Sequence, residues 1–432
     1  MHPSRSADTA PTLVVISGGT AARPAARSAT QAPSDALLAT LPPAQRVLWV
    51  DADATALDEG EHDLIVLTGG LQRLDDPAAT LDALHRAAAP GATLALEVRN
   101  HATLELLQRW AEADLTDDDG VLASPHLALG SLGSAYKLLM DAQWMPTLVH
   151  ARAAAPASPA LERAALAFAG ALGVPATTAR RQWGAASLIV HAVRSFDAVA
   201  QAPEAARFSV VVPTTRDRQL RANVECSPGL REVGARIVSV RRAAHPAAAL
   251  DAAAPHLDAD WVLLAHQDVY FPRGFGQRLN TLLATIDANE RQRTLIGFAG
   301  IGVDAARQGY APAGFVIDRT TRADWGANDH GVSIDELAIV IARDSVLRPD
   351  AALGWHLWAT DLCLDAITRH GAFARIVRLP LFHNSVTDHT LPDAFHASAA
   401  RLAAKYPGFG PIHTLCGVID ERFLARTNDL AA

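Results

Sequence analysis

The chain has almost no lysine and very little cysteine. Lysine occurs only as Lys137 and Lys405, so nearly all of the 38 basic residues are arginine. Because alanine is also abundant, this bias is typical of GC-rich coding, and the number of arginines is not by itself a sign of phosphate binding. The three cysteines, Cys226, Cys363 and Cys416, are too few and too scattered for a disulfide framework or a cysteine-based zinc site. This pattern predicts reduced thiols in a cytoplasmic protein.

Long apolar runs and blocks of like charge are also missing. The first residues lack the apolar core of a signal peptide, and no segment reaches the roughly 18 uninterrupted apolar residues of a transmembrane helix. The formal net charge of -8 is spread along the chain without a basic block, which argues against nucleic acid as the main partner. We therefore expect a cytoplasmic protein with no membrane span.

Half of the residues are hydrophobic, which is ample for packed cores, and a length of 432 residues predicts two or three domains. Strand-like and helix-like segments alternate in both halves, the pattern of layered α/β domains. Between the halves, residues 195–206 are polar and contain a proline, as in a linker. We expect one α/β domain in residues 1–195 and a second in residues 207–432.

The first half contains an ordered set of segments from residue 63 to residue 100. A strand ends in a Gly-Gly turn at residues 69–70, a helix follows, and a Pro-Gly turn at residues 90–91 leads into another strand. Together with a helix and turn at residues 136–144, this set resembles the second half of class I S-adenosylmethionine-dependent methyltransferases. The expected strands are residues 13–16, 46–50, 63–67, 93–98 and 187–193, with helices at 77–88 and 104–113.

The front of this half departs from that family, which holds its cofactor with a glycine-rich turn after the first strand. The candidates here are a Gly-Gly-Thr turn at residues 18–20 and the segment from Asp51 to Asp53, which has no glycine. Only about a dozen residues separate Asp51 from Asp63, too few for a complete strand–helix unit. We therefore expect a degenerate Rossmann-like domain that does not bind S-adenosylmethionine and serves in docking or in homo-oligomerisation.

The most informative segment lies in the second half, where the run at residues 260–265 stops at His266, Gln267 and Asp268. An apolar run of this length suits a strand covered on both faces. In open α/β sheets, ligands bind just beyond the carboxyl ends of such strands. A carboxylate and an imidazole there can hold a divalent metal, and the metal can hold a phosphate. The segment therefore predicts chemistry on a phosphorylated or nucleotide substrate.

Further motifs follow in order along this half. They are a Val-Pro-Thr turn at residues 212–214, the acidic pair Asp335 and Glu336, a helix that contains Asp361, and His383 in a late strand. The ordered set resembles GT-A glycosyltransferases of the family 2 type, in the branch where Asp-x-Asp is replaced by His-Gln-Asp. The strands expected are residues 208–212, 236–240, 260–265, 294–300, 332–343 and 376–379, with a helix at 246–254.

This resemblance covers residues 208–390 and implies a GT-A domain that uses a nucleotide-sugar donor with Mn²⁺ or Mg²⁺. Asp268 is implied as the principal metal ligand and His383 as the residue that completes the site. His266 remains open between a third ligand and a buried structural histidine. The donor-binding residues implied are Pro213, Thr214, Thr215, Gln267 and Asp268.

The resemblance also implies an acceptor side. Asp361 corresponds to the carboxylate expected to act as general base, although an acid near a helix start also stabilises the helix dipole. The tryptophans of this region are open between stacking on a sugar and plain core packing. The acceptor-side residues implied are Asp335, Glu336, Trp355, His356 and Trp358.

The predicted function is therefore a metal-dependent, inverting glycosyltransferase that moves a sugar to a glycan or protein acceptor. By resemblance, its setting is bacterial surface polysaccharide or protein glycosylation. Arg241 and Arg242 stand where an acid usually contacts the nucleobase, so the donor nucleotide is left open. Two alternatives are a bifunctional glycosyltransferase and methyltransferase, and a non-catalytic scaffold that binds nucleotides or glycans.

Overall fold

The computed structural model describes residues 12–16, 34–51, 57, 61–112, 130–154, 156–197, 205–319, 322–385 and 391–425. The described residues form two compact units, one before residue 199 and one from that residue onward. Each unit combines a mixed sheet with helices, so the predicted α/β class is confirmed. Within the described parts of the chain, no helix has the length and apolar character needed to cross a bilayer.

The first unit is built on a six-stranded sheet with helices in its connections. Its strands are β1 (Thr12–Ile16), β2 (Arg46–Val50), β3 (His62–Leu67), β4 (Ala88–Arg99), β5 (Trp144–Ala153) and β6 (Ala185–Arg194). Its helices are α1 (Asp35–Leu38), α2 (Pro77–Ala87), α3 (Leu104–Ala111), α4 (Leu132–Asp141), α5 (Pro159–Ala171) and α6 (Ala176–Trp183).

Local sequence explains the central elements of this sheet. The last four residues of β3, Leu64 to Leu67, are fully buried, as expected of a parallel strand covered on both faces. Helix α2 begins where the side chain of Asp76 accepts a hydrogen bond from the Ala79 N–H group, with Pro77 in the first turn. The Trp144 indole then donates to the Leu81 carbonyl at 3.1 Å, which fixes α2 against the start of β5.

The strand order of this sheet is β1-β2-β3-β4-β6-β5. The first four strands are parallel and follow chain order, whereas β6 is antiparallel to both of its neighbours. A doubly wound domain binds its cofactor where the order of its parallel strands reverses, and the described parallel strands contain no such reversal. The Gly-Gly-Thr turn at residues 18–20 and Asp53 lie outside the described residues.

The two glycines after β3 have a packing role. A Cβ atom at Gly69 would lie 2.8 Å from the carbonyl oxygen of Asp51, and one at Gly70 would lie 2.7 Å from that of Glu97. Gly70 also has a positive φ of 73°, which favours glycine. These residues let neighbouring strand ends approach each other closely, so backbone packing explains the Gly-Gly turn without a ligand.

The second unit contains a twelve-stranded mixed sheet and a separate two-stranded hairpin. Its strands are β7 (Phe208–Thr214), β8 (Ile237–Arg241), β9 (Trp261–Ala265), β10 (Val269–Tyr270), β11 (Leu295–Gly297), β12 (Ala299–Asp304), β13 (Gly309–Asp318), β14 (Arg322–Gly326), β15 (Asn328–Ile334), β16 (Ala338–Ala342), β17 (Ala374–Ile376), β18 (Phe382–His383), β19 (Ile412–Thr414) and β20 (Gly417–Ile419). Its helices are α7 (Asp217–Ala222), α8 (Pro228–Arg231), α9 (Pro246–Ala253), α10 (Phe275–Ala284), α11 (Trp358–His370) and α12 (Asp393–Lys405).

The centre of this sheet brings three chain segments to one end. Strand β7 lies between β8 and β9 and is parallel to both, whereas β16 is antiparallel to β9, with Ala338 opposite Ala265. The residues that follow β7 and β9 therefore lie at the same end as the residues that precede β16. The His266 N–H group donates to the Leu337 carbonyl at 2.9 Å, which ties two of these segments together.

Two predicted strands are each divided in the structure. The segment at residues 294–300 forms β11 and β12, and the segment at residues 332–343 forms β15 and β16. Strand β11 pairs with β16 and β17, whereas β12 pairs with β13 and β15, so the chain changes partners at Phe298. The break at residues 335–337 places the acidic pair in a turn at the end of the sheet described above.

Candidate active site

Three side chains with metal-ligand chemistry converge beyond the end of β9. The ligand atoms of His266, Asp268 and His383 all lie within 4.8 Å of one another. The antiparallel pairing of β10 with β18 puts Val269 opposite His383, which brings this histidine across from a distant part of the chain. The His383 Nε2 atom lies 3.6 Å from the Asp268 Oδ1 atom. The structure thus brings together the three residues that the sequence predicts for the metal site.

A fourth residue of this cluster, Asp318, was missed by the sequence reasoning. It is the last residue of β13, which pairs in parallel with β18 and places Asp318 opposite His383. Its Oδ2 atom lies 3.5 Å from the His383 Nδ1 atom, so the imidazole lies between two carboxylates. A carboxylate behind a ligating histidine fixes the tautomer and the orientation of the ring. The only sequence signal was an acid at the end of an apolar strand.

The charges of the cluster are set by close contacts between its members. Burial opposes ionisation of Asp268, but the hydrogen bond and charge of His383 outweigh it and lower the pKa of this carboxyl to about 2. Burial would likewise lower the pKa of His383, but Asp268 and Asp318 raise it well above its ordinary value. Burial lowers the pKa of His266 and so favours the neutral imidazole that binds metals. One carboxylate and two imidazoles form a donor set for a divalent metal, whose binding would displace the proton that the raised pKa of His383 favours.

The side chain of Gln267 builds the turn that follows β7. Its Oε1 atom accepts three hydrogen bonds: from the Thr214 hydroxyl at 2.8 Å, the Thr215 N–H group at 3.0 Å and the Arg216 N–H group at 2.9 Å. This amide oxygen is therefore engaged within the protein. Gln267 fixes the predicted donor-binding turn, residues 213–215, against the residues that hold the metal cluster.

Asn384, which was also missed, connects the cluster to α7. Its N–H group donates to the Asp268 carbonyl at 2.8 Å, and its side-chain amide donates to the Asn223 Oδ1 atom at 2.9 Å. The Arg319 Nε–H group donates to its Oδ1 atom at 2.8 Å. Since Asn223 directly follows α7, Asn384 joins the end of this helix, the segment at residues 266–268 and the end of β13.

Glu336, one of the two acids before β16, lies close to the start of α11. Its carboxyl lies near the backbone N–H groups of residues 357–359, and its Oε1 atom has no hydrogen-bond partner among the described residues. Burial and the nearby charge of Asp335 raise the pKa of Glu336 to about 8, and those N–H groups only partly oppose the shift. Leu357 has a φ of 62°, a strained conformation for a leucine. Glu336 therefore lies beside a strained bend, and this bend carries His356.

The remaining acceptor-side candidates differ in their surroundings. Asp335 accepts a hydrogen bond from the Leu337 N–H group at 3.0 Å and lies close enough to His266 for its charge to act on it. Burial, together with the charge of His266, lowers the pKa of the half-buried His356, whose imidazole is therefore neutral near pH 7. Trp355 is partly exposed. Trp358 is 2% exposed and belongs to the apolar core, so its predicted place on the acceptor side is wrong.

The surroundings of Asp361 do not fit the predicted role of general base. Asp361 is 1% exposed. Its oxygens lie 2.8 and 3.0 Å from the Lys405 Nζ atom, and the Tyr406 hydroxyl donates to Oδ1 at 2.8 Å. Burial raises the pKa of Asp361 although both partners oppose the shift. The side chain lies in the first turn of α11, as expected, but it faces the end of α12 and anchors that helix.

No protein-family model matches the sequence. No curated protein matches it either. A solved S-adenosylmethionine-dependent methyltransferase from Thermotoga maritima is 10% identical over 37% of this chain and 86% of its own, with a TM-score of 0.24.

Two solved glycosyltransferases are also similar to part of the chain. GalNAc-T7, solved with UDP, GalNAc and Mn²⁺, is 10% identical over 60% of each chain, with a TM-score of 0.32. The mannosyltransferase PcManGT from Pyrobaculum calidifontis, solved with GDP-Man and Mn²⁺, is 12% identical over 50% of this chain and 69% of its own, with a TM-score of 0.29. The proteins to which this chain is similar thus include both methyltransferases and glycosyltransferases.

Proposed function

We propose that the second unit is a GT-A glycosyltransferase of the His-Gln-Asp branch of family 2. It would transfer a sugar from a nucleoside diphosphate to an acceptor hydroxyl, in bacterial surface polysaccharide or protein glycosylation. The observation that carries the proposal is the convergence of His266, Asp268 and His383 beside the turn at residues 213–216, which Gln267 builds. A metal site next to a turn at the carboxyl end of parallel strands suits a nucleotide diphosphate.

The donor side is assigned from the contacts of this cluster. His266, Asp268 and His383 would hold Mn²⁺ or Mg²⁺, which when bound neutralises charge on the diphosphate leaving group. Asp318 would orient the ring of His383 from its Nδ1 side, which leaves Nε2, on the side of Asp268, for the metal. Pro213, Thr214 and Thr215 would line the donor, and Gln267 supports them from behind.

The acceptor side requires a group that takes the proton of the attacking hydroxyl. We assign this role to His356 because its imidazole lies on the bend before α11, near His266, and imidazole is the side chain that most often does this work. Asp335 and Trp355 would contact the acceptor beside it. A single displacement with the base opposite the leaving group inverts the anomeric carbon.

A thermal-shift screen tests this proposal without an acceptor. UDP, GDP, dTDP and CMP are each added with and without Mn²⁺, and S-adenosylmethionine is added separately. We expect one nucleotide to raise the melting temperature only with Mn²⁺, because a ligand at 100 times its Kd stabilises the folded state by about 2.7 kcal/mol. A shift with S-adenosylmethionine, together with no shift from any nucleotide, would contradict the proposal. It would indicate that the first unit binds a cofactor and that the second unit has no donor site.

The contact between Asp318 and His383 gives a prediction of its own. Asp318→Ala is expected to weaken Mn²⁺ binding roughly 10- to 100-fold, because the ring of His383 loses the carboxylate that orients it. Calorimetric titration with Mn²⁺ alone measures this effect without turnover. Asp304→Ala is a matched control, since Asp304 also ends a strand and accepts backbone hydrogen bonds from the turn after it. If the two variants bind Mn²⁺ with equal affinity, Asp318 does not support the metal site.

A further inference from the structure

Two hairpins of the second unit place exposed apolar side chains side by side. In the β12–β13 hairpin Val303 is opposite Tyr310, and in the β19–β20 hairpin His413 is opposite Val418. Directly opposed residues of antiparallel strands project from the same face. The ring centroids of Tyr310 and His413 are 4.5 Å apart, with their planes 36° from parallel. The two pairs thus form one row, which we call the aromatic row: Val303, Tyr310, His413 and Val418.

The aromatic row is open to solvent. Val303, Tyr310 and Val418 are 36%, 46% and 38% exposed. Single exposed apolar residues are normal on protein surfaces, but neighbouring ones that form a patch mark binding sites. The row contains a phenol and an imidazole between two aliphatic side chains, and none of its members is an acid, a lysine or an arginine. Its chemistry therefore suits a ligand with both apolar faces and hydroxyl groups.

The row is connected to the acceptor side of the candidate active site. The turn that joins β19 to β20 contains Leu415, which packs against the apolar cluster that includes Leu337 and Ala338 at the start of β16. The next residue of the same turn is Cys416. Cys416 is exposed and lies close enough to Asp335 and Glu336 for their charges to act on its thiol. The hairpin that carries half of the row therefore ends beside the acidic pair.

We propose that the aromatic row binds an acceptor glycan, so that the acceptor is a sugar chain and not a protein segment. The apolar C–H face of a pyranose ring packs on an aromatic ring, while its hydroxyls reach the phenol oxygen and the imidazole nitrogens. A glycan bound on the row would extend along the β19–β20 turn toward Asp335. This inference rests on the proposed glycosyl transfer, whose donor site it does not involve.

The tyrosine content of the chain allows a direct test. There are four tyrosines. Tyr136 and Tyr270 are 5% and 4% exposed, and Tyr406 is hydrogen-bonded to Asp361. Protein labelled with 3-fluorotyrosine should thus give four fluorine resonances, and Tyr310→Phe identifies that of Tyr310. The probes are methyl pyranosides of gluco, galacto and manno configuration, chitotetraose and mannotetraose, and peptides that contain serine and threonine.

We expect at least one sugar probe to shift the Tyr310 resonance saturably and to leave those of the three other tyrosines in place. Loss of one aromatic contact in His413→Ala should weaken this binding roughly threefold to tenfold. Trp325→Ala is the matched control, because Trp325 is 44% exposed on β14 and lies outside the row. A Tyr310 resonance that no sugar moves, or that only the peptides move, would overturn the inference. The Mn²⁺-dependent nucleotide shift reports on the proposed function separately, since it does not involve the row.

Discussion

Asp268→Ala is expected to abolish sugar transfer and to remove the Mn²⁺-dependent part of nucleotide binding. Asp268 is the carboxylate among the three converging ligands, and its Oδ1 atom lies 3.6 Å from the His383 Nε2 atom. Without it, two imidazoles remain and the anionic ligand is lost. We expect turnover to fall roughly 10³-fold or more, because charge on the leaving group would no longer be stabilised. Steady-state rates and Mn²⁺ titrations in the presence of nucleotide measure the two effects.

A carboxylate at the other end of the same strand provides the control. Asp260 precedes β9, is largely exposed, and lies 3.8 Å from Arg291 in a surface ion pair. Asp260→Ala should leave both measurements near the wild-type values, since exposed ion pairs contribute about 0–1 kcal/mol. Retention of Mn²⁺-dependent nucleotide binding in Asp268→Ala, with the fold intact, would place the metal site elsewhere.

The part of this site that could be predicted from the sequence is the part encoded by neighbouring residues. The apolar run of β9 is interrupted by polar residues at His266, which fixes the end of a buried strand. Because ligands gather at such ends, the local sequence is enough to select Gln267 and Asp268 as candidates. The structural role of Gln267 was not evident from the sequence, because its three hydrogen bonds join two segments about fifty residues apart.

Contacts that depend on the register of short strands could not be predicted from the sequence. Asp318 meets His383 because β13 pairs in parallel with β18, which has only two residues. No hydrophobic period can be recognised in two residues, so the pairing of this strand with β13 was not predictable. The strand order of the first unit is a similar case. The sequence predicted a missing β-α unit, but only the structure shows that β1 to β4 follow chain order.

Asp361 shows a further limit of sequence reasoning. The sequence placed it correctly near the start of a helix, and the first turn of α11 contains it. Which way a helical side chain faces is decided by the elements that pack on the helix. The residues that engage it, Lys405 and Tyr406, lie at the end of α12. Lysine is nearly absent from this chain, yet one of its two lysines completes this buried ion pair.

Asp361→Asn is therefore expected to lower stability, whereas His356→Ala is expected to lower turnover. Asp361→Asn leaves Lys405 without one of its carboxylates, and breaking a buried ion pair costs about 3–5 kcal/mol. Here we expect the free energy of unfolding to fall by less than that, about 2–4 kcal/mol, because Lys405 also pairs with Asp350 and is 28% exposed. His356→Ala should retain most of its stability while turnover falls roughly 10²- to 10⁴-fold, as for a lost general base. Urea unfolding and kcat, measured on each variant, separate the two effects.

The matched control for the helix anchor is one turn further along α11. Asp365 pairs with Arg369, which is 66% exposed, so Asp365→Asn should change stability by no more than about 0.5 kcal/mol. An unfolding midpoint for Asp361→Asn equal to that of this control, with kcat reduced as for a lost base, would return the base role to Asp361. In that case the ion pair with Lys405 would have to open during turnover. Unchanged stability is thus the result that would reject the anchor, because a carboxylate held by Lys405 and Tyr406 cannot be neutralised without loosening α12.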